Sequence, residues 1–211
     1  MLFVSRWLLI FGVLFITGCP TVQTTQPLSD PLTAEPDESL YGHWLATEKE
    51  DGKTRELHAF IGKHTTKENP EAIMEVWVIH WEREDKKLDG GLYYFTVTRI
   101  GKASYMNLIG VDTPSVGSKD MPLSLSAVGS YAAWTKNEKK KCGIVRYSYE
   151  GNKLQIWVPT DVKQALKGLS EAGELKLIGE VVTIDSLVRY LRKNKGEELF
   201  NKLARTFSKI P

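Results

Sequence analysis

The chain has 211 residues, with 28 Lys and Arg against 26 Asp and Glu, and two cysteines. A net charge of +2 excludes the basic excess of a nucleic-acid binder and the acidic excess that draws a cationic partner. Two cysteines exclude a disulfide scaffold, and the length suffices for one domain with its own core.

Arg6 is the only charge ahead of an apolar run from Trp7 to Ile16. That run is shorter than the roughly 20 apolar residues a bilayer span needs. A basic start, a short apolar core and a small-residue exit make the pattern of a cleaved export signal. The exit, Ile16-Thr17-Gly18-Cys19, resembles the lipobox of bacterial lipoprotein precursors, where an aliphatic residue, a small residue and Gly or Ala precede the modified Cys. The resemblance implies a signal peptide over residues 1–18 and cleavage between Gly18 and Cys19. It also implies a diacylglycerol thioether on Cys19 and a fatty acyl chain, such as palmitate, on the new amino terminus. The alternative is an ordinary secretory signal that contains a Cys. Each buried methylene contributes roughly 0.8 kcal/mol and one chain holds only marginally, so two or more chains make a lasting membrane anchor. Position 20 is Pro, whereas Asp there retains enterobacterial lipoproteins in the inner membrane. The expected address is therefore the cell envelope, on the periplasmic face of the outer membrane rather than the inner membrane.

Residues 19–38 carry four Pro, several Thr and little apolar periodicity. Such a stretch cannot bury enough surface to fold, and reads as a semi-extended tether between lipid and domain.

Residues 39–211 form the expected domain, and its pattern is that of strands. Asp51-Gly52 marks a two-residue hairpin that pairs Glu50 with Lys53. Gly101-Lys102 marks a second, with Gly first as a type II′ turn wants, and Gly151-Asn152 a third that pairs Glu150 with Lys153. Ala72–Arg83 is a further strand, returning through the turn-rich stretch 84–91. Shorter strands are expected near Tyr131–Thr135 and Glu174–Ile178. Successive antiparallel strands with short turns argue for a meander that closes into a barrel. One or two helical turns are expected after Thr160 or Asp161, stopping at Gly168. The tail reads as helices over about 184–207: Leu187, Val188 and Leu191 share one face, Leu199, Phe200, Leu203 and Phe207 another, with Gly196 as the break. No second transmembrane segment and no solenoid repeat is present in the sequence.

Leu40-Tyr41-Gly42-His43-Trp44 opens the first strand with a G-x-W element. It resembles the start of lipocalin-like (calycin-type) barrels. The resemblance implies that Trp44 plugs the base of the barrel and that Gly42 lets the strand bend around it; both roles are structural. The whole order, lipobox, Pro-rich tether, barrel and helical tail, resembles bacterial lipoproteins of uncharacterised activity with lipocalin-like domains. The expected fold class is thus mainly β, an antiparallel lipocalin-like meander barrel with C-terminal α-helices.

No constellation of residues spells a reaction. His43, His58 and His64 fall close together, but their spacing matches no established ligand set and no carboxylate is placed to help, so no metal is expected. No G-x-S-x-G elbow and no Cys/His signature is present. Gly90-Gly91 reads as a hairpin turn without a following helix, not a phosphate loop. Cys142 follows Lys139-Lys140-Lys141, whose charge would lower a thiol pKa; the preferred reading is a small filler at a strand start, with intermolecular pairing as the alternative. No catalytic residue and no cofactor is expected.

The aromatic set is the strongest remaining signal. Trp77, Ile79 and Trp81 alternate on one face of their strand, with Met74, Val76, Val78 and His80 on the other. Pairing Phe95 with Leu108 and Val97 with Met106 makes an apolar face, leaving Tyr94, Thr96, Thr98, Tyr105 and Asn107 on a mixed one. Which face points inward is left open. Trp77, Trp81, Tyr94 and Tyr105 are the candidates for binding a small hydrophobic ligand or lipid in the barrel, as a non-enzymatic envelope protein. The alternative is a barrel filled by its own side chains, whose surface engages another envelope protein. A hydrolase with an unrecognised site is the third reading.

Overall fold

The computed structural model describes residues 21–50, 53–64, 72–82, 87–109 and 141–211. A short strand, β1 (Val22–Thr24), precedes a 3-10 turn at Glu38–Leu40. Seven longer strands follow: β2 (Gly42–Glu50), β3 (Lys53–Lys63), β4 (Met74–Glu82), β5 (Lys87–Ile100), β6 (Ala103–Ile109), β7 (Cys142–Glu150) and β8 (Lys153–Val158). Then come α1 (Val162–Glu171), the small hairpin β9 (Leu177–Ile178) and β10 (Val181–Val182), α2 (Ile184–Arg192), α3 (Gly196–Leu199) and β11 (Lys202–Ile210). Eight antiparallel strands close in the order β7-β6-β5-β4-β3-β2-β11-β8, with β8 returning to β7.

The turns set the register. Gly101 and Gly151 hold φ of 61° and 59°, the first-position conformation that a type II′ hairpin requires and a side chain resists. Phe95 consequently faces Leu108, Val97 faces Met106, and Glu150 faces Lys153. Glu50 faces Lys53 as well, while the Asp51-Gly52 turn itself and the Tyr131–Thr135 strand lie outside the described residues.

Alternation then sorts the side chains into two layers. Inside the barrel, Trp44, Met74, Val76, Val78, Phe95, Val97, Met106, Tyr147 and Phe207 form one buried cluster. Outside it, Leu92, Tyr94, Tyr105 and Ile144 pack under Leu166, Leu187, Tyr190, Leu191 and Phe200 of the helical segment. A mainly β barrel with helices near its C-terminus is thus the observed fold.

Several local expectations are corrected. The helices end at Leu199 rather than about residue 207, because Lys202–Ile210 is needed to fill the gap between β8 and β2. Leu199, Phe200, Leu203 and Phe207 fit a helical face, but Phe207 enters the barrel while Leu203 stays 41% exposed. The break between the helices falls at Asn194, at φ 62°, a left-handed stop that Asn tolerates; Gly196 opens α3. Helix α1 runs past Gly168 to Glu171, capped by Asp161, whose carboxylate accepts from Gln164 N at 2.9 Å. Gly90 and Gly91 belong to β5, not to a turn. A Cβ on Gly90 would clash with the Val78 carbonyl oxygen, so glycine allows β4 and β5 to approach.

The presumed tether is also revised from residue 21 onward. β1 pairs with β7 through Val22–Ile144 and Thr24–Cys142. Leu28 N donates to Asn107 Oδ1 at 2.8 Å, and the Ser29 and Thr98 hydroxyls lie 2.6 Å apart. A Pro- and Thr-rich segment need not supply its own core when strand edges and buried polar groups of the barrel satisfy its backbone.

Candidate functional site

The interior leaves the aromatic candidates outside. Met74, Val76 and Val78 take the inward positions of β4, so Trp77 and Trp81 face outward by alternation. Tyr94 and Tyr105 also face outward, 5% and 1% exposed beneath the helices. Tyr105 packs against Phe200, ring centroids 5.7 Å apart. Burial pushes the Tyr94 phenol up to about 12, with the Glu75 charge adding to the shift. The four residues therefore divide: Tyr94 and Tyr105 support the helical layer, Trp77 lies on the outer surface of β4 and packs against the edge of that same cluster, and Trp81 lies further along the outer surface, half-buried.

That outer surface continues onto β3 and β2. Phe60 lies opposite Trp77 and His58 opposite Ile79, with His43 opposite Phe60. The His43 ring stacks on Phe60 at 4.3 Å, and its Nε2 lies 2.9 Å from His58 Nδ1. One nitrogen must accept, so the pair favours a neutral ring; desolvation, then the neighbouring His58, lowers the His43 pKa. Phe60 is 40% exposed, and Leu45, Ile79 and Trp81 are half-buried. The result is an outward stripe of Phe, Trp, Ile and His on the sheet.

The three histidines do not converge. His64 Nδ1 instead lies 3.0 Å from Glu75 Oε2, and His58 Nε2 is 3.6 Å from Glu56. Carboxylates thus do stand beside two of them, contrary to expectation. Among the described residues no group of three or more His, Cys, Asp and Glu could hold a metal ion.

Gly42 and Trp44 stand at the start of β2. Gly42 holds φ 125°, a conformation that side chains resist. Trp44 is fully buried, and its Nε1 donates to Leu40 O at 2.7 Å. Asp37, just ahead of the 3-10 turn, accepts from Tyr147 Oη at 2.7 Å and from Arg99 at 3.1 Å. Desolvation raises the Asp37 pKa, but hydrogen bonds from Ser39, Tyr147 and Arg99 outweigh it and leave it below 3.8. Tyr147→Phe is expected to cost about 1.5–3 kcal/mol, the contribution of a hydrogen bond to a charged group. A lowered carboxyl pKa contributes stability above the unfolded value of 3.8 that is lost as pH falls through the folded value. The variant should therefore lose part of its stability at neutral pH and show a weaker pH dependence at acid pH. Urea titrations read by circular dichroism, at neutral pH and below pH 3.8, check both.

Cys142 begins β7, fully buried beside Thr24. Burial pushes its thiol up, which fits the filler reading and overrides the adjoining lysines. Cys19 and Gly18 lie outside the described residues.

A cleft of about 610 Å³ opens between β1, the start of α1 and the β9–β10 hairpin. Thr21, Val162, Leu166 and Leu177 form its walls, with Lys163 and Lys167 also lining it. No family model, curated protein or solved structure matches this chain.

Proposed function

We propose that this chain is a lipid-anchored, non-enzymatic protein of the bacterial envelope, whose lipocalin-like barrel is a filled scaffold and whose outer β2–β4 face engages another envelope protein. One observation carries the reading. The inward side chains form a contiguous buried cluster that includes Trp44, Phe95 and Phe207, while Phe60 and its aromatic neighbours stand on the outside. Phe60 is the exposed centre of that stripe, with His43, His58, Trp77 and Ile79 half-buried around it, and a contiguous apolar patch on an outer surface is where a protein partner docks. The lipobox-like exit at Cys19 supports export, processing after Gly18 and an outer-membrane address.

The test places a photo-crosslinking residue at Phe60 or, as control, at Lys153, in the native host. Crosslinks to one and the same envelope protein from 60 but not 153, lost in a Trp77→Asp background, are expected. Equal crosslinking from both positions overturns the reading. For the anchor, Cys19→Ala should leave an uncleaved precursor without acyl mass; normal processing of that variant contradicts it.

A second reading keeps a small apolar ligand but moves it from the barrel to the cleft beside β1, whose 610 Å³ falls within the range of about 300–1,000 Å³ for ligand sites. A stoichiometric lipid that copurifies with the intact protein and is displaced by Leu166→Trp would favour this reading.

A further inference from the structure

Resting on the lipid anchor at Cys19, we infer that the face formed by β1, the start of α1 and the β9–β10 hairpin lies directly on the bilayer surface, with Ile178 in its interfacial layer. The argument is one of reach. β1 is hydrogen-bonded into the sheet from Val22, opposite Ile144. Only three peptide steps separate Cys19 from Val22, and an extended chain covers at most about 11 Å in that number. The headgroup layer on each side of a bilayer is roughly 5–8 Å thick. Acyl chains held in the hydrocarbon core therefore leave β1 no room to stand away from the surface. A free tether of some twenty residues would instead give a coil of about 25 Å, and the domain could take any orientation.

The chemistry of this face suits a lipid surface. Ile178 sits in the β9–β10 hairpin and is 70% exposed. Its neighbours Leu177, Gly179 and Glu180 line the cleft together with Thr21, two residues from the anchor. A large aliphatic side chain left in water gains on entering an interface. Charge contributes little. Lys163 and Lys167 lie 4.0 and 3.8 Å from Glu180 and Glu171, so the basic groups stand beside acids at the surface. The contact is set by the anchor and by Ile178, and is insensitive to salt.

The docking also orients the interaction face. β3 stands four strands from β7 in either direction around the ring of eight. The β2–β4 surface therefore points away from the bilayer and stays open to a partner.

The experiment uses the full lipidated protein in vesicles of phosphatidylethanolamine and phosphatidylglycerol. A nitroxide is attached to Ile178→Cys or, for comparison, to Lys153→Cys at the start of β8; native Cys142 is fully buried and does not label. Collision with membrane-soluble oxygen should exceed collision with a water-soluble nickel chelate at position 178, and the order should reverse at 153. Both readings should hold at high salt. Intact mass separates the two claims. A protein that carries acyl mass but shows equal, water-like accessibility at 178 and 153 overturns the docking alone. A protein without acyl mass overturns the anchor and the docking together. Loss of the 178 signal in high salt also overturns the inference as stated, since charge would then be holding the face.

Discussion

Trp44→Ala is expected to lower stability by about 3–5 kcal/mol, the range for emptying a buried Trp or Phe site. The indole is fully buried in the barrel. Tyr149 meets it edge-on at 5.6 Å, and Lys209 Nζ lies 5.2 Å from its ring centroid. Its loss removes those contacts and also strands the Leu40 carbonyl, which accepts from Nε1 at 2.7 Å. Collapse around the gap is limited because the surrounding wall is a closed ring of hydrogen-bonded strands. Trp44→Phe separates the two effects: it keeps most of the apolar volume and loses only the donor, for about 1–3 kcal/mol. Urea titration followed by circular dichroism measures both. A Trp44→Ala loss below about 1 kcal/mol, ordinary for a surface site, would show that Trp44 is not filling the base.

Asn107→Ala should be nearly as costly, and its effect should be local. Asn107 is fully buried on the outer side of β6. Its Oδ1 accepts from Leu28 N at 2.8 Å, and its Nδ2 donates to Thr96 O at 3.2 Å and Thr98 Oγ1 at 2.9 Å. Alanine satisfies none of them, and each buried polar group left without a partner costs about 1–3 kcal/mol. The Leu28 amide is the one that fastens the amino-terminal segment to the barrel. Hydrogen exchange is expected to speed up over residues 22–29 well before β6 itself is affected. Unchanged protection there would mean that β1 alone holds the segment. In the vesicle experiment the same variant should keep Ile178 at the interface as long as β1 remains paired.

The strands were legible because their signals are local. Period-two alternation and glycine at the first turn position are read within a few residues, and hence Gly101 and Gly151 set the register correctly. The tail was not legible in the same way. Leu199, Phe200, Leu203 and Phe207 satisfy a helical stripe, yet Arg205 and Phe207 are buried between exposed Thr206 and Ser208, a strand pattern. Both periods fit a short apolar set, and the arbiter lies far away, in the open edges of β8 and β2. The candidate site was half legible. Trp77 and Trp81 stood out by type and spacing, and His43 and His58 by falling close together. Phe60, the most exposed member of the stripe, was missed because one aromatic on a strand carries no signal until its cross-strand neighbours are known. The cleft was missed for the same reason, since its walls come from segments more than 130 residues apart.

The sequence alone determined an antiparallel β domain with a meander of hairpins and a late helical segment. Each follows from interactions between near neighbours along the chain. Only the tertiary structure decided that Met74, Val76 and Val78 face inward and the tryptophans outward, that the last segment is the closing strand, and that the tether is bound from Val22. Alternation has two equivalent phases, and a Pro-rich segment has no fold of its own. Closure of the ring selects one phase, and the edge of β7 supplies the hydrogen bonds that the amino-terminal segment lacks.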